Sequence, residues 1–201
     1  MTFSSALARA ALPVLIVATA PAAAQTQSAD MGKLRAHISA VQSMKASFVQ
    51  TDARGRSSTG TMQMKRPGRV RFEYAGGDLL LVANGKTLTF VDYTVGQKSS
   101  WPLGRTPLGV LLSNSPDLKG RAKIVPSDDS RIVTVEARDP TQYGSLRLVF
   151  LRSPSAPGGL QMYGWTAIDA QNKRTTVKLN NVRYNVAINE AAFAYAEPKK
   201  K

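Results

Sequence analysis

The sequence predicts a mainly β protein: a single curved antiparallel sheet that forms an incomplete, half-open barrel, with an N-terminal helix and a short lid helix. Apolar residues recur at every second position over much of the chain, and turn-rich stretches separate these runs. The runs do not alternate with helical patterns, so a parallel sheet is not expected. Few helices beside one antiparallel sheet favour an open barrel over a sandwich.

The N-terminus has the pattern of a cleavable export signal. Arg9 is followed by an apolar run from Ala10 to Ala20. This run is shorter than the roughly 20 apolar residues that a membrane-crossing helix needs. Small side chains at Ala22–Ala24 suit signal peptidase, which predicts a signal peptide at residues 1–24 and one carrier domain at residues 25–201. An uncleaved anchor helix is the alternative.

Composition limits the chemistry of the exported part. The chain has 27 Lys and Arg against 13 Asp and Glu, and it has no cysteine. Disulfides, thiolate nucleophiles and thiolate metal sites are therefore impossible. Lipidation is excluded as well, because a bacterial lipoprotein needs a Cys directly after its signal peptide. We expect a periplasmic protein that is not itself anchored to a membrane.

The pattern changes from helix to strands after the first fifty residues. Asp30 is a candidate N-cap, followed by a helical stripe of Met31, Leu34, Ile38, Val41 and Met44. Strands are then predicted at 61–65, 69–74, 79–82, 87–91, 132–137, 146–151, 162–168 and 174–179. Asn84-Gly85 predicts a type I′ hairpin, because both residue types tolerate positive φ.

One short helical segment interrupts the strands. Thr106 is a candidate N-cap and Pro107 the first helical residue. The apolar side chains that follow are Leu108, Val110, Leu111 and Leu112. They point in too many directions for a helix on a solvated surface, so the helix must cover apolar groups. Two interpretations remain open: a plug that completes the core, or a movable lid over a ligand cavity.

An ordered series of short motifs resembles the LolA family of periplasmic lipoprotein carriers. The series is Ala46-Ser47-Phe48 with Gln50, Gly60, Lys65-Arg66-Pro67, Tyr74, Asn84-Gly85-Lys86, Asp92-Tyr93, Gln97, Pro102-Leu103, Thr106-Pro107, Leu111-Leu112, Asp169 and Phe193. The resemblance implies an incomplete barrel whose apolar concave side is covered by helices. It also implies a monomer that carries acylated lipoproteins from an inner-membrane ABC transporter to an outer-membrane receptor or outer-membrane lipid.

The resemblance gives Arg66 a specific role. It matches the Arg of the family's Arg-Pro motif, which latches the lid by donating hydrogen bonds to backbone carbonyls. The targets implied for this chain are the backbones of Ile38, Leu111 and Leu112. A guanidinium suits the task, since it has five donors and stays protonated. An exposed Arg at the end of a strand is the alternative interpretation.

The expected cavity must hide acyl chains yet release them, which favours adaptable Met and Leu side chains. Eight residues are candidates for its lining: Met44, Met62, Met64, Phe72, Leu80, Phe90, Phe150 and Met162. Pro107, Leu108 and Val110 are candidates for the lid. Ordinary core packing would produce the same pattern of apolar residues on one strand face.

Catalysis, cofactors and bound metals are not predicted. His37 is the only histidine, and we place it on the polar, solvated side of the first helix, so no His-based triad or metal cluster is expected. The chain has neither a G-x-S-x-G nucleophile motif nor a P-loop. Asp128 and Asp129 lie in a predicted turn, where solubility and turn hydrogen bonds explain them.

The main alternative function is a polyanion- or anionic-lipid-binding module. It depends on six basic residues within a short span: Arg54, Arg56, Lys65, Arg66, Arg69 and Arg71. Nucleic acid is not an expected partner outside the cytoplasm, whereas anionic head groups attract such residues. A carrier for another amphiphile is a further alternative, because one barrel architecture can serve several lipids.

Overall fold

The computed structural model describes residues 22–112, 122–138, 144–169 and 171–199. Its two α-helices are α1 (Ala22–Ala40) and α2 (Pro107–Leu112). Its strands are β1 (Ser43–Thr51), β2 (Ser57–Lys65), β3 (Arg69–Tyr74), β4 (Leu79–Asn84), β5 (Thr87–Asp92), β6 (Gln97–Pro102), β7 (Ala122–Val125), β8 (Ile132–Arg138), β9 (Ser145–Arg152), β10 (Leu160–Ile168) and β11 (Arg174–Tyr184). Short 3₁₀ helices lie at Leu103–Arg105, Pro157–Gly159 and Glu190–Phe193.

All eleven strands form one antiparallel sheet in the order β6-β5-β4-β3-β2-β1-β11-β10-β9-β8-β7. Consecutive strands pair with each other except β6 and β7, which lie at opposite edges, and the first and last strands, β1 and β11, pair at the centre. The described strands leave β6 and β7 as the two edges, so the sheet is not closed. The predicted fold class, a mainly β protein with a half-open barrel, is confirmed.

The sheet is strongly curved. Phe72 on β3 and Trp165 on β10 are four strands apart, which would separate them by about 19 Å in a flat sheet. Their ring centroids are 5.8 Å apart. Register shifts lie between Lys45 and Ser47 and between Met162 and Gly164, and such bulges bend the strands that contain them. The two halves of the sheet therefore face each other across a concave side.

The concave side holds the main core. Its buried residues come from both halves of the sheet and from both helices, and they include Leu34, Phe48, Phe72, Val135, Leu148 and Phe150. Phe48 stacks edge-to-face against Phe72, with ring centroids 5.5 Å apart. Because α1 and α2 both contribute to this cluster, they lie on the concave side as covers.

The first helix differs from the prediction at both ends. It begins at Ala22, so Asp30 lies inside it and is not its N-cap. Asp30 is buried, and its carboxylate forms an ion pair with both terminal guanidinium nitrogens of Arg152 on β9. The helix ends at Ala40, whose carbonyl accepts a hydrogen bond from Asn185 Nδ2 at 3.0 Å. Met44 therefore lies on β1, where the apolar spacing continues although the helix has ended.

The C-terminal segment covers the convex side of the sheet. Leu80, Val82 and Val91 form a second buried cluster there with Ile188 and Phe193. Ion pairs hold the segment in place: Lys65 to Glu190 at 2.6 Å, Arg69 to Glu190 at 3.1 Å and Lys98 to Glu197 at 2.7 Å. The chain thus covers this convex surface with its own residues.

The eight predicted strands are confirmed, and β1, β6 and β7 are additional. The predicted hairpin joins β4 and β5, but its turn is not type I′. Gly85 has a φ of 103°, whereas Asn84 stabilises the turn with its side chain, which accepts hydrogen bonds from the backbone nitrogens of Lys86 and Thr87.

Neither described helix has the length and apolar character needed to cross a membrane.

Candidate functional site

A small apolar cavity of about 60 Å³ lies between the concave side of the sheet and the two helices. Its lining residues are His37, Ile38, Val41, Met44, Met62, Met64, Arg66, Val70, Phe72, Leu108, Leu112, Leu148, Phe150, Met162 and Trp165. Four of these are methionines, whose unbranched side chains repack easily around different ligands. His37 and Arg66 are the only ionisable groups among these residues.

Six of the eight candidate lining residues line this cavity: Met44, Met62, Met64, Phe72, Phe150 and Met162. Leu80 lies elsewhere, in the cluster on the convex side. It is the middle one of three consecutive leucines, so alternation alone does not indicate which of them faces the cavity. The concave side has Leu81, which pairs with Phe72 and packs against the main core. Phe90 is half-buried further along this same row.

Sequence reasoning missed several lining residues. Val70 and Leu148 lie two positions from the candidates Phe72 and Phe150, so strand alternation could have identified them. Trp165 could not be found this way. The bulge between Met162 and Gly164 shifts the alternation by one, so that Met162 and Trp165 face the same side although they are three residues apart.

His37 is buried, which corrects the prediction that it is solvated. It is 5% exposed, and its Nδ1 donates to the Pro157 carbonyl at 2.8 Å. Its ring packs edge-to-face against Phe150 and Tyr184, with centroid distances of 5.2 and 5.4 Å. The prediction failed because the 3₁₀ segment Pro157–Gly159 covers the side of α1 that its pattern marks as polar. Burial lowers the pKa of His37 below its ordinary value of 6.5.

Arg66 directly follows β2, and its side chain reaches the end of α1. It is 9% exposed, and its Nε donates to the Val41 carbonyl at 2.9 Å. Its backbone nitrogen donates to the Gln42 carbonyl at 2.9 Å. Burial lowers the pKa of the guanidinium, which still remains protonated at any physiological pH. Among the targets implied by the resemblance, Ile38 and Leu112 line the same cavity as Arg66.

The turn that begins at Arg66 also contacts the second helix, α2. The backbone nitrogen of Gly68 donates to the Leu112 carbonyl at 2.8 Å. One turn of the chain, Arg66–Gly68, therefore contacts the ends of both covering helices. Such contacts are favourable because the last carbonyls of a helix have no partners within it.

The predicted short helix is present as α2 at Pro107–Leu112. Leu108 and Leu112 line the cavity, whereas the side chains of Pro107, Val110 and Leu111 lie outside the described part of the structure. Thr106 directly precedes the helix, but its hydroxyl donates to the Leu103 carbonyl at 2.8 Å. A Cβ atom on Gly109 would lie 2.5 Å from the same carbonyl oxygen, so glycine allows α2 to pack closely on the 3₁₀ helix before it.

The cavity is far smaller than a typical ligand site. Pockets for small molecules have volumes of roughly 300–1,000 Å³, and this cavity has about 60 Å³. The space between the sheet and the two helices is therefore too small for an acyl chain. The described residues contain no group of three or more His, Asp or Glu side chains placed to hold a metal ion.

The burial of His37 predicts that acid destabilises the protein. Because its pKa is lower in the folded state, the unfolded state binds more protons once the pH falls below about 6.5. We expect the free energy of unfolding to decrease between about pH 7 and pH 5 in urea titrations. His37→Gln, which cannot titrate, should lose part of this dependence. An identical pH dependence in both proteins would contradict the prediction.

A solved structure has a similar fold. A DUF1329 family protein from Desulfovibrio piger superposes with a TM-score of 0.52, covering 83% of this chain and 95% of that chain. The two sequences are 9% identical, so the likeness concerns the fold alone.

Two sequence relatives carry the same functional name. The outer-membrane lipoprotein carrier protein of Leptothrix cholodnii is 27% identical over 182 residues, covering 86% of this chain and 84% of the relative. The protein of the same name from Chromobacterium violaceum is 25% identical over 201 residues, covering 93% and 94%. A family model described as outer membrane lipoprotein carrier protein LolA matches residues 39–196. Since this match covers most of the chain, the protein belongs to the LolA family.

Proposed function

We propose that the protein is a soluble periplasmic carrier that binds the acyl chains of lipoproteins on its concave side. It would take them from an inner-membrane ABC transporter and deliver them to an outer-membrane receptor or to outer-membrane lipid. The observation that supports this most directly is the methionine-rich apolar cavity beneath two helices. The names of the relatives support the class of cargo.

Export by a signal peptide at residues 1–24 is part of the proposal. Cleavage after Ala24 would remove three residues from the start of α1. It would leave Asp30 and its ion pair with Arg152, which attach the helix to β9. The cover over the cavity would thus keep its anchor in the processed protein.

Water makes such a carrier necessary. Each acyl CH₂ group removed from water contributes about 0.8 kcal/mol, so a chain of about 16 carbons contributes roughly 12 kcal/mol. A lipoprotein with exposed acyl chains would aggregate or remain in the membrane. The carrier must offset this free energy, yet it must bind weakly enough for the acceptor to compete.

In the proposed cycle, closure of the helices assists release. The closed cavity is too small for an acyl chain, so binding and closure compete. Hydrogen bonds from the Arg66–Gly68 turn to Val41 and Leu112 form in the closed state and therefore favour expulsion of the cargo. In this cycle Arg66 has a binding and positioning role, and no covalent step takes place.

The polyanion-binding alternative is weakened by the surroundings of its six basic residues. Arg56 pairs with Asp52 at 2.7 Å and Arg71 with Glu73 at 2.9 Å. Lys65 and Arg69 contact Glu190 of the C-terminal segment, and Arg66 is buried. Five of the six are therefore occupied by the protein's own groups, so the cluster is not an open basic surface.

Salt dependence separates the two functions. A carrier should bind an environment-sensitive fluorescent fatty acid with an affinity that changes little as salt is raised, because apolar burial provides the free energy. A polyanion binder should lose affinity steeply under the same conditions, because bound counterions are released and charges are screened. Titrations at about 0.05 and 0.5 M salt measure the difference. Steep salt dependence would contradict the carrier.

Arg66→Leu tests the latch. The variant should fold, because leucine fills similar apolar space, although Val41 loses a hydrogen bond at a cost of about 1–3 kcal/mol. We expect it to bind lipoprotein but to transfer it to the acceptor about tenfold more slowly, since closure no longer assists release.

Arg54→Leu is the matched control, because Arg54 is exposed in the turn between β1 and β2. It should transfer cargo at the rate of the unmodified protein. Transfer by Arg66→Leu at that same rate, with an intact fold by circular dichroism, would show that Arg66 is not a latch.

A further inference from the structure

A row of apolar side chains leads out of the cavity towards one edge of the sheet. The strand register places five residues directly opposite one another, in the order Ala46, Met62, Phe72, Leu81 and Phe90. Directly opposite residues of neighbouring strands lie on the same face. Met62 and Phe72 line the cavity, whereas Leu81 and Phe90 are half-buried. The row thus continues the cavity lining across β4 and β5.

A second row runs beside the first and ends at the edge strand. Its members are Met44, Met64, Val70, Ala83, Leu88 and Trp101. All of them are buried except Trp101, which is 47% exposed on β6. Trp101 lies opposite Leu88, a member of the main core, so it is on the concave face. Trp101 is the diagonal neighbour of Phe90 across β5 and β6, so it forms one apolar patch with Phe90 and Leu81. Contiguous exposed apolar patches mark contact surfaces.

On the convex side of the same strands, the C-terminal segment covers the apolar residues. There Val82 and Val91 are covered by Ile188 and Phe193 of the C-terminal segment. Tyr93 on that side donates from its hydroxyl to the Ala196 carbonyl at 3.0 Å. Among the described residues, the C-terminal segment therefore covers the apolar residues of β4 and β5 on the convex side, whereas Leu81 and Phe90 on the concave side are half-buried.

We infer that Leu81, Phe90 and Trp101 form an acyl-chain site, here called the edge track, that is continuous with the cavity. The inference rests on the proposed carrier function and adds a location to it. An acyl chain lies along the edge track when it enters or leaves, with the rest of the chain in the cavity. The edge track provides the apolar area that the closed cavity lacks.

The dimensions fit this occupant. Met62 and Phe90 are three strands apart, which corresponds to about 14 Å at the usual strand spacing. A bilayer's hydrocarbon core is about 30 Å thick, so one acyl chain extends about 15 Å. A single chain can therefore reach from the methionines of the cavity to Phe90, beside Trp101.

The two tryptophans of the chain provide separate reporters for the two parts of the site. Trp165 lines the cavity and Trp101 ends the edge track. Trp165→Phe leaves Trp101 as the single tryptophan, and Trp101→Phe leaves Trp165. Each protein is titrated with a fatty acid brominated in the middle of its chain, which quenches tryptophan fluorescence at close contact. The unbrominated fatty acid serves as the competitor.

We expect saturable quenching of both tryptophans with the same midpoint, reversed by the competitor. Adding Leu81→Ser and Phe90→Ser to the Trp165→Phe protein should weaken the quenching of Trp101 about tenfold. Val95→Ser is the matched control, because Val95 is 58% exposed but lies in the turn between β5 and β6, away from the edge track. It should leave the quenching unchanged.

The outcomes distinguish the two proposals. Quenching of Trp165 without Trp101 would overturn the edge track and leave the carrier function intact. Quenching of neither would contradict both. Two further outcomes would show a separate surface site and also overturn the edge track. One is quenching of Trp101 that the two serine substitutions do not weaken. The other is quenching of Trp101 with a midpoint different from that of Trp165.

Discussion

The curvature of one open sheet determines almost everything else in this protein. Because the sheet bends, Phe72 and Trp165 meet across four strands, at a ring distance of 5.8 Å. A flat sheet would expose this entire apolar face to water. A closed barrel would fill it with side chains. The half-open form creates an apolar hollow that needs separate covers, and α1 and α2 supply them.

The covers are held by groups with different chemistry. The Asp30–Arg152 ion pair attaches α1 to the sheet some distance from the cavity, and Gly109 lets α2 pack closely on the preceding 3₁₀ helix. The Arg66–Gly68 turn contacts both helices at the cavity itself. In the proposed cycle these last contacts break when the hollow admits a chain. A few hydrogen bonds contribute a few kcal/mol. This is comparable with the change in the binding free energy of the cargo that a carrier needs between binding and release.

Much of the fold could be predicted from the sequence, because half-buried strands repeat with a period of two. The missed strands have physical reasons. The residues of β6 are mostly polar and exposed, β7 has only four residues, and β1 begins where the helical spacing still continues at Met44. The site was less predictable. Because Leu80 is one of three consecutive leucines, alternation does not indicate which face it lies on. The bulge before Gly164 shifts the alternation, so the position of Trp165 could not be predicted. The burial of His37 depends on a segment 120 residues away.

If the concave side carries acylated proteins, such proteins should accompany this chain in the cell. Mass spectrometry of molecules that co-purify with the protein from the periplasmic fraction, under native conditions, detects them. We expect triacylated lipoproteins in amounts that approach those of the carrier, and fewer of them with Phe72→Asp in the cavity. Recovery of a different lipid without any lipoprotein, from a correctly folded protein, would show that acylated proteins are not the cargo.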